Sequence, residues 1–294
     1  RIPLVAAVAL TAWAAATSVQ AVFASEVLSH APVGYWRLNE TNPMPPEIYA
    51  ANAGSFGAAG NGRYINVTRT QPGAIPSDPA GRCAVIPNAN GGWGGSARVR
   101  IPWQADLNTA GAFSVEFWAK PAITSAIACP ASSVDFNATP RYGWLFYQGG
   151  PGLADGNGWF FRIYHTGTGG NSLAAVDMTI DTDHWYHVVG VYDGATSIKL
   201  YVDGALVATT PVDGTFTPNA NRTDVPMTFG GRADGVAGDY GWGGQMDEVA
   251  YYTKALSDAD VLAHYQAGTA ATPPQPYETV IKSSGPAVYL RLDE

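Results

Sequence analysis

Charge is scarce in this chain. Only 14% of its 294 residues are Asp, Glu, Lys or Arg, which suits neither a helical nor a disordered protein. No basic run occurs, and the net charge is −8. Both facts speak against nucleic acid as a partner, and the acidity reads as plain solubility. Cysteine is nearly absent: Cys83 and Cys129 stand alone, and two thiols at that spacing do not make a zinc site. There is no Gly-x-Ser-x-Gly elbow and no Walker-type phosphate loop, and glycine-rich stretches such as residues 91–95 read as turns. The apolar run at residues 2–15 falls short of the roughly 20 residues that a spanning helix needs.

Turn formers and aromatics are abundant, with 34 Gly, 21 Pro, 9 Trp and 15 Tyr. That balance points to an all-β domain in an extracellular setting, long enough to bury one large core. Residues 1–21 have the layout of a secretory signal peptide: a basic Arg1, an Ala-rich apolar run, then Ser18-Val19-Gln20-Ala21 as a small-x-small cleavage site. An exported chain can oxidise its cysteines. A Cys83–Cys129 disulfide would close a loop of 46 residues (129 − 83), worth about 4 kcal/mol by chain entropy. Two unpaired thiols are the alternative.

Residues 22–40, VFASEVLSHAPVGYWRLNE, return near the end of the chain as residues 276–294, PYETVIKSSGPAVYLRLDE. Ser29, Pro32, Tyr35, Arg37, Leu38 and Glu40 recur as Ser283, Pro286, Tyr289, Arg291, Leu292 and Glu294. The repeat frames one unit of residues 22–268, followed by a Pro-rich linker at 269–275. Residues 276–294 then read as the first strand of a truncated second repeat. A longer, tandem-domain protein is the expectation.

Strand patterns dominate the unit. Residues 34–39, 97–101 and 113–120 alternate, with Phe113, Val115 and Phe117 on one face and Ser114, Glu116 and Trp118 on the other. Residues 121–142 read as a long insertion, and 144–147 and 159–164 as the next strands. Asp193-Gly194 and Asp203-Gly204 mark tight turns between residues 185–192, 197–202 and 205–210. The closing strand is 243–252. After it, Ser257-x-x-Asp260 is a capping box, with Val261, Leu262 and Tyr265 as one apolar helical face and Gly268 as the end of the helix.

Six segments, GYWRLNE, RVRIPWQADLN, FSVEFWAKP, HWYHVVGVYDG, IKLYVDGALVATT and GGQMDEVAYYTKALS, resemble in order and spacing the laminin G-like jelly-roll domains of the concanavalin A-like lectin and glucanase group. The resemblance covers most of residues 22–268. It implies an all-β, two-sheet antiparallel jelly-roll sandwich, here with one short C-terminal helix. It also implies extracellular binding or adhesion, tandem arrays, and in some members a calcium ion at the sheet edge.

Glucanases of that group carry a Glu-x-Asp-x-x-Glu run, and this chain lacks it. Glu116 has no acidic residue two or four positions later, so it reads as a hydrogen-bond acceptor. Asp247 and Glu248 are adjacent, and a regular strand would send them to opposite faces. His184 and His187 read as ordinary strand residues facing opposite ways. Calcium wants hard oxygens, and the expected ligands are Glu40, Asn52 and Asp247, where the first loop would meet the closing strand. For a sugar, exposed aromatics beside polar groups are needed. Arg232, Asp234, Asp239, Tyr240 and Trp242 form such a set in a Gly-rich loop, and Trp93 and Trp159 also sit among glycines. The functional expectation is a secreted or cell-surface binding module that recognises a glycan or an extracellular protein, without catalysis of its own. A structural spacer with no ligand is one alternative, and a glycoside hydrolase or lyase of the same fold is the other.

Overall fold

The computed structural model describes residues 49–88, 97–124, 126–136, 138–150, 156–168, 170–219, 225–232 and 240–293. The expected signal peptide, the leading strand at 34–39 and Glu40 lie outside the described residues. Among the described residues, sixteen strands and two α-helices follow in chain order. The first half contains β1 (Tyr49–Ala50), β2 (Gly62–Ile65), β3 (Thr68–Pro72), β4 (Arg82–Pro87), β5 (Arg98–Ile101), β6 (Phe113–Pro121), β7 (Ala131–Asp135) and β8 (Tyr142–Gly149). The second contains β9 (Gly158–Tyr164), β10 (Asn171–Val176), β11 (Tyr186–Tyr192), β12 (Ser197–Val202), β13 (Ala205–Pro211), β14 (Met227–Phe229) and β15 (Gly243–Tyr252). Helices α1 (Asp258–Thr269) and α2 (Tyr277–Ser283) and a last strand, β16 (Val288–Leu290), complete it.

The strands form two antiparallel sheets. One runs β1-β2-β5-β14-β7-β8-β9-β10, the other β13-β12-β11-β6-β15-β4-β3, with β16 added on β15. Their inner faces bury one large core, as expected of a sandwich. Phe113, Val115 and Phe117 lie in that core, and Trp118 lies in a second cluster on the outer face of the same sheet, under the two helices. β6 is therefore buried on both sides, and its alternation separates two cores rather than core from water. Fully burying each large apolar side chain contributes roughly 1.5–3 kcal/mol.

The turns form where the sequence asks for them. Asp203 and Gly204 both take positive φ, 52° and 75°, the backbone of a type I′ hairpin between β12 and β13. Ser257 and Asp260 make the reciprocal capping box of α1. The apolar face of that helix differs from expectation. Leu262 is exposed, while Val261, His264, Ala267 and Gly268 are buried. Gly268 does not end the helix. It lies inside α1, where a Cβ would sit 2.3 Å from a ring carbon of Trp118, so the glycine lets the helix settle onto that indole.

Two further expectations give way. β7 lies inside residues 121–142, the stretch read as an insertion, because its Ala-Ser-Ser-Val-Asp sequence lacks the aromatics that flag its neighbours. More consequentially, residues 276–293, read from the sequence as the first strand of a second repeat, are docked on the unit that precedes them. They form α2 and β16, pair with β15 through Val249↔Leu290, Ala250↔Tyr289 and Tyr251↔Val288, and bury Val288, Tyr289, Leu290 and Leu292. A sheet edge offers unpaired amides and carbonyls, and this segment satisfies them.

Candidate functional site

Three polar constellations lie outside the main core. The first covers the outer face of β7, β8 and β9. Strand alternation turns Trp144 and Phe146 inward and Tyr147 outward, and likewise Phe161 and Ile163 inward and Arg162 and Tyr164 outward. The Arg232 guanidinium carbon sits 3.9 Å from the centre of the Phe136 ring and 4.7 Å from that of Tyr240. Arg162 lies 5.8 Å over Tyr147, and Arg141 4.4 Å over Phe136. Such cation–π contacts stabilise by about 0.5–2 kcal/mol each, more as water is excluded. Arg232 is only 6% exposed, and its backbone carbonyl accepts a 2.7 Å bond from Arg98. Burial pushes the Tyr147 phenol above its ordinary range. The Tyr164 hydroxyl and the Arg162 Nε are buried without a hydrogen-bond partner.

This face gathers two of the expected sugar-site residues, Arg232 and Tyr240. Trp242 is not part of it: the indole is 0% exposed, and its Nε1 donates to Gln148 Oε1 at 2.7 Å. Trp159 is likewise in the core. Neighbouring glycines do not decide where a ring points: the alternation of β9 turns Trp159 inward, and Trp242, just ahead of β15, is held inside by its bond to Gln148. Asp234, Asp239 and Trp93 lie outside the described residues. Sequence reasoning missed Phe136, Tyr147, Arg162 and Tyr164. The period of two along residues 144–147 and 159–164 was the signal that finds three of them.

The second constellation surrounds Glu116, which is 0% exposed. Its carboxylate accepts from the Tyr252 hydroxyl at 2.6 Å, from His264 Nδ1 at 2.9 Å and from His187 Nε2 at 3.2 Å. His264 Nε2 meets Ser284 Oγ at 2.8 Å. Burial alone would push Glu116 up, but the two imidazoles outweigh it and hold the carboxyl well below its usual range. For His264, burial lowers the basicity and the Glu116 charge more than restores it, leaving a net upward displacement. The acceptor role expected of Glu116 is what the structure shows. No substrate reaches a carboxylate so enclosed. His187 is a strand residue as expected, and His184 precedes β11 and bonds Asp203 at 2.9 Å.

The third lies on β15. A bulge between Asp247 and Ala250 shifts the register, and Glu248 takes φ 50°. The expected separation of Asp247 and Glu248 onto opposite faces fails for that reason. Both line one small recess with Asp78, Arg82, Arg291 and Asp293. Asp247 Oδ2 accepts from Ala74 N at 2.7 Å, and its Oδ1 from Glu248 N at 3.1 Å. Glu248 accepts from the Tyr289 hydroxyl and, at 3.2 Å, from Arg291 Nε. Burial raises the Asp247 carboxyl and the adjacent Glu248 charge adds to it; Glu248 is raised chiefly by burial.

Of the expected calcium ligands, Glu40 lies outside the described residues. Asn52 has its side-chain oxygen occupied by two amides, those of Gly54 at 2.9 Å and Tyr289 at 2.7 Å. Among the described residues no group of three or more His, Cys, Asp or Glu could hold a metal ion. The disulfide is corrected outright. Both cysteines are free and buried. Cys83 belongs to β4 in one sheet, whereas the Cys129 amide bonds Tyr240 O beside the other sheet, and the sandwich core separates them. Burial, with Asp247 next, pushes the Cys83 thiol up to about 12.

A family model described as the concanavalin A-like lectin/glucanases superfamily matches residues 93–262. That is more than half of the chain, and the chain belongs to this family. No curated protein matches it in sequence. Solved structures match in fold. The binding domain of botulinum neurotoxin serotype D is 13% identical with a TM-score of 0.52, covering 74% of this chain and 48% of that one. A presumed carbohydrate-binding protein from Bacteroides ovatus is 20% identical with a TM-score of 0.42, covering 62% and 46%. This chain thus spans about half the length of either. The CBM40 of the Ruminococcus gnavus IT-sialidase, bound to α2,3-sialyllactose, is 14% identical with a TM-score of 0.44, covering 67% and 95%. At these identities the likeness is one of fold. No helix among the described residues is long and apolar enough to cross a membrane.

Proposed function

We propose that the unit is an extracellular binding module that takes a glycan on the outer face of β7, β8 and β9. The observation that carries this reading is the Arg232 guanidinium set between the rings of Phe136 and Tyr240, beside Arg162 over Tyr147. Guanidinium groups donate to sugar hydroxyls or a sugar carboxylate, and aromatic faces stack on the apolar side of the ring. The toxin fold relative is itself described as a binding domain, which supports a binding rather than a catalytic use of the scaffold. The closed hydrogen-bonding of Glu116 speaks the same way against the glycosidase alternative.

The test is a glycan-array screen of the whole chain, repeated with calcium and with a chelator. A defined set of glycans should be retained by the wild type and lost at least about tenfold in Tyr240→Ala, corresponding to about 1.4 kcal/mol. Binding that survives Tyr240→Ala and Arg162→Ala together places the ligand elsewhere. No binding to any glycan, with unchanged folding, leaves the spacer reading. Loss of binding on chelation would assign calcium a part.

A further inference from the structure

No basic run occurs in the sequence, yet the sheet register gathers three arginines on one patch. Arg63 on β2 lies directly opposite Arg100 on β5, and Arg98 stands two positions before Arg100 on the same strand. Ala50, Tyr64, Val99 and Ile101 belong to the core, so strand alternation turns Arg63, Arg98 and Arg100 to the outer face. Tyr49 on β1 pairs with Arg63 and shares that face. The row Tyr49, Arg63, Arg100 thus crosses three neighbouring strands, spaced about 4.8 Å apart. Tyr49 is 54% exposed, more than any other large apolar side chain among the described residues.

Like charges directly opposite each other on a sheet destabilise it. Among the described residues no carboxylate pairs with Arg63 or Arg100 to relieve them. Burial, then the charges of Arg98 and Arg63, draws the Arg100 guanidinium below its ordinary range, and no acidic neighbour opposes that displacement. The chain carries 24 Asp and Glu against 16 Lys and Arg, so this cluster runs against the overall charge.

We propose that the outer face of β1, β2 and β5 is a second binding surface, which takes an acidic polysaccharide: Arg63 and Arg100 bond its carboxylate or sulfate groups, and Tyr49 stacks on a sugar ring beside them. The guanidinium fork matches such oxyanions with two parallel bonds. Side chains directly opposite on paired strands start about 5 Å apart, so both forks converge on one anion or on two in a row. The aromatic face supplies the apolar contact that a sugar ring offers and a bare anion does not. The free protein bears the repulsion between the arginines, and the complex cancels it. The surface adjoins the Arg232 face, since Arg98 donates to the Arg232 carbonyl at 2.7 Å, but it does not rest on the reading of that face.

The experiment titrates the full chain with polygalacturonate, dextran sulfate, neutral dextran and single-stranded DNA at low ionic strength. One or both acidic polysaccharides should bind, and dextran and DNA far more weakly. A response to polygalacturonate alone assigns a carboxylate, and to dextran sulfate alone a sulfate. Arg63→Gln with Arg100→Gln should weaken that binding at least about tenfold, while Tm stays equal or rises because the like-charge pair is gone. Tyr49→Ala should weaken it about fivefold. The proposal is overturned if neither acidic polysaccharide binds, or if the double arginine variant binds as well as wild type. It fails too if dextran or DNA binds as tightly as the acidic polysaccharides, or if Tyr49→Ala changes nothing. A double variant that loses many degrees of Tm along with binding makes the arginines structural, which also overturns it. Binding lost in Tyr240→Ala but kept in the arginine variant would move the acid to the face of β7, β8 and β9.

Discussion

Glu116 and the Asp247–Glu248 pair are buried on adjacent strands of one sheet, Glu116 opposite Ala250, yet they are held in contrary ways. Glu116 faces two imidazoles and a phenol, all supplied from within residues 187–264. It stays ionised against burial. The bulge pair is raised chiefly by burial, with the Glu248 charge adding to the rise of Asp247, and its main cation and phenol, Arg291 and Tyr289, arrive on the closing segment. The difference separates a permanent element of the fold from a docking point. Where the counter-charge is built in, the carboxylate fixes the position of α1. Where it is brought by the C-terminal segment, the carboxylates hold that segment against β15.

The largest break in that comparison comes from Glu116→Ala. It strands His264 in a buried site without its anionic partner. The expected loss is about 3–5 kcal/mol of unfolding free energy in a guanidinium titration. Tyr289→Phe removes one donor to Glu248 and should cost only about 1–2 kcal/mol. A Tyr289→Phe effect as large as that of Glu116→Ala would erase the distinction between the two sites.

The sequence made one of these sites legible and hid the other. Alternation along residues 113–120 placed Glu116 opposite Phe117 in facing, and the lack of a second carboxylate at catalytic spacing gave it its acceptor role. The bulge was invisible, because a positive φ at Glu248 has no residue signature such as glycine. Without it, Asp247 and Glu248 part company. The docking of residues 276–294 was hidden for a related reason. A repeat tells that two segments are alike, not which one a sheet edge accepts. For the Arg232 face, the loop residue Tyr240 was legible from composition, whereas Arg162 and Tyr147 needed the strand period applied to their outward positions. Trp242 misled because an aromatic between glycines looks the same in sequence whether it is exposed or, as here, buried ahead of β15 and bonded to Gln148.

A pH series sharpens the comparison with a smaller effect. Glu116 is displaced downward, so its contribution is present above the ordinary Glu value of about 4.3 and is lost only as pH falls through its low folded value. His264 is displaced upward, so its contribution is full below about 6.5 and fades as pH rises through the folded value. Glu248 is displaced upward too. The folded state there prefers the proton, and stability falls as pH climbs from about 4.3 toward the raised value. The wild type should therefore lose stability from pH 5 to 8 by an amount on the order of 1 kcal/mol per site. Glu248→Gln should flatten the lower part of that slope and His264→Gln the upper part. Were both variants to flatten the same part, the two sites would be titrating as one.

The smallest expected effect is none at all, and it concerns the thiol nearest the bulge. Cys83 lies on β4 beside β15, where its Sγ is 3.5 Å from Gln245 Oε1, and Asp247 adds to burial in holding its thiol protonated up to about 12. Cys129 is buried beside the other sheet, with its Sγ 3.5 Å from Ala131 O. A disulfide closing residues 83–129 would contribute about 4 kcal/mol, and its reduction would lower Tm by many degrees. With free thiols, a reductant should leave Tm unchanged. Both thiols are buried and Cys83 is held in the unreactive thiol form, so native protein at neutral pH should resist iodoacetamide at both positions. Denatured protein, without reductant, should take up two adducts by mass spectrometry. Rapid labelling of Cys83 in the native state, with Cys129 still protected, would show that the edge at β15 opens while the rest of the sandwich stays closed. That selective result would mark the bulge site as the looser of the two, as its borrowed counter-charge predicts. Labelling that begins at Cys129 would reverse the order.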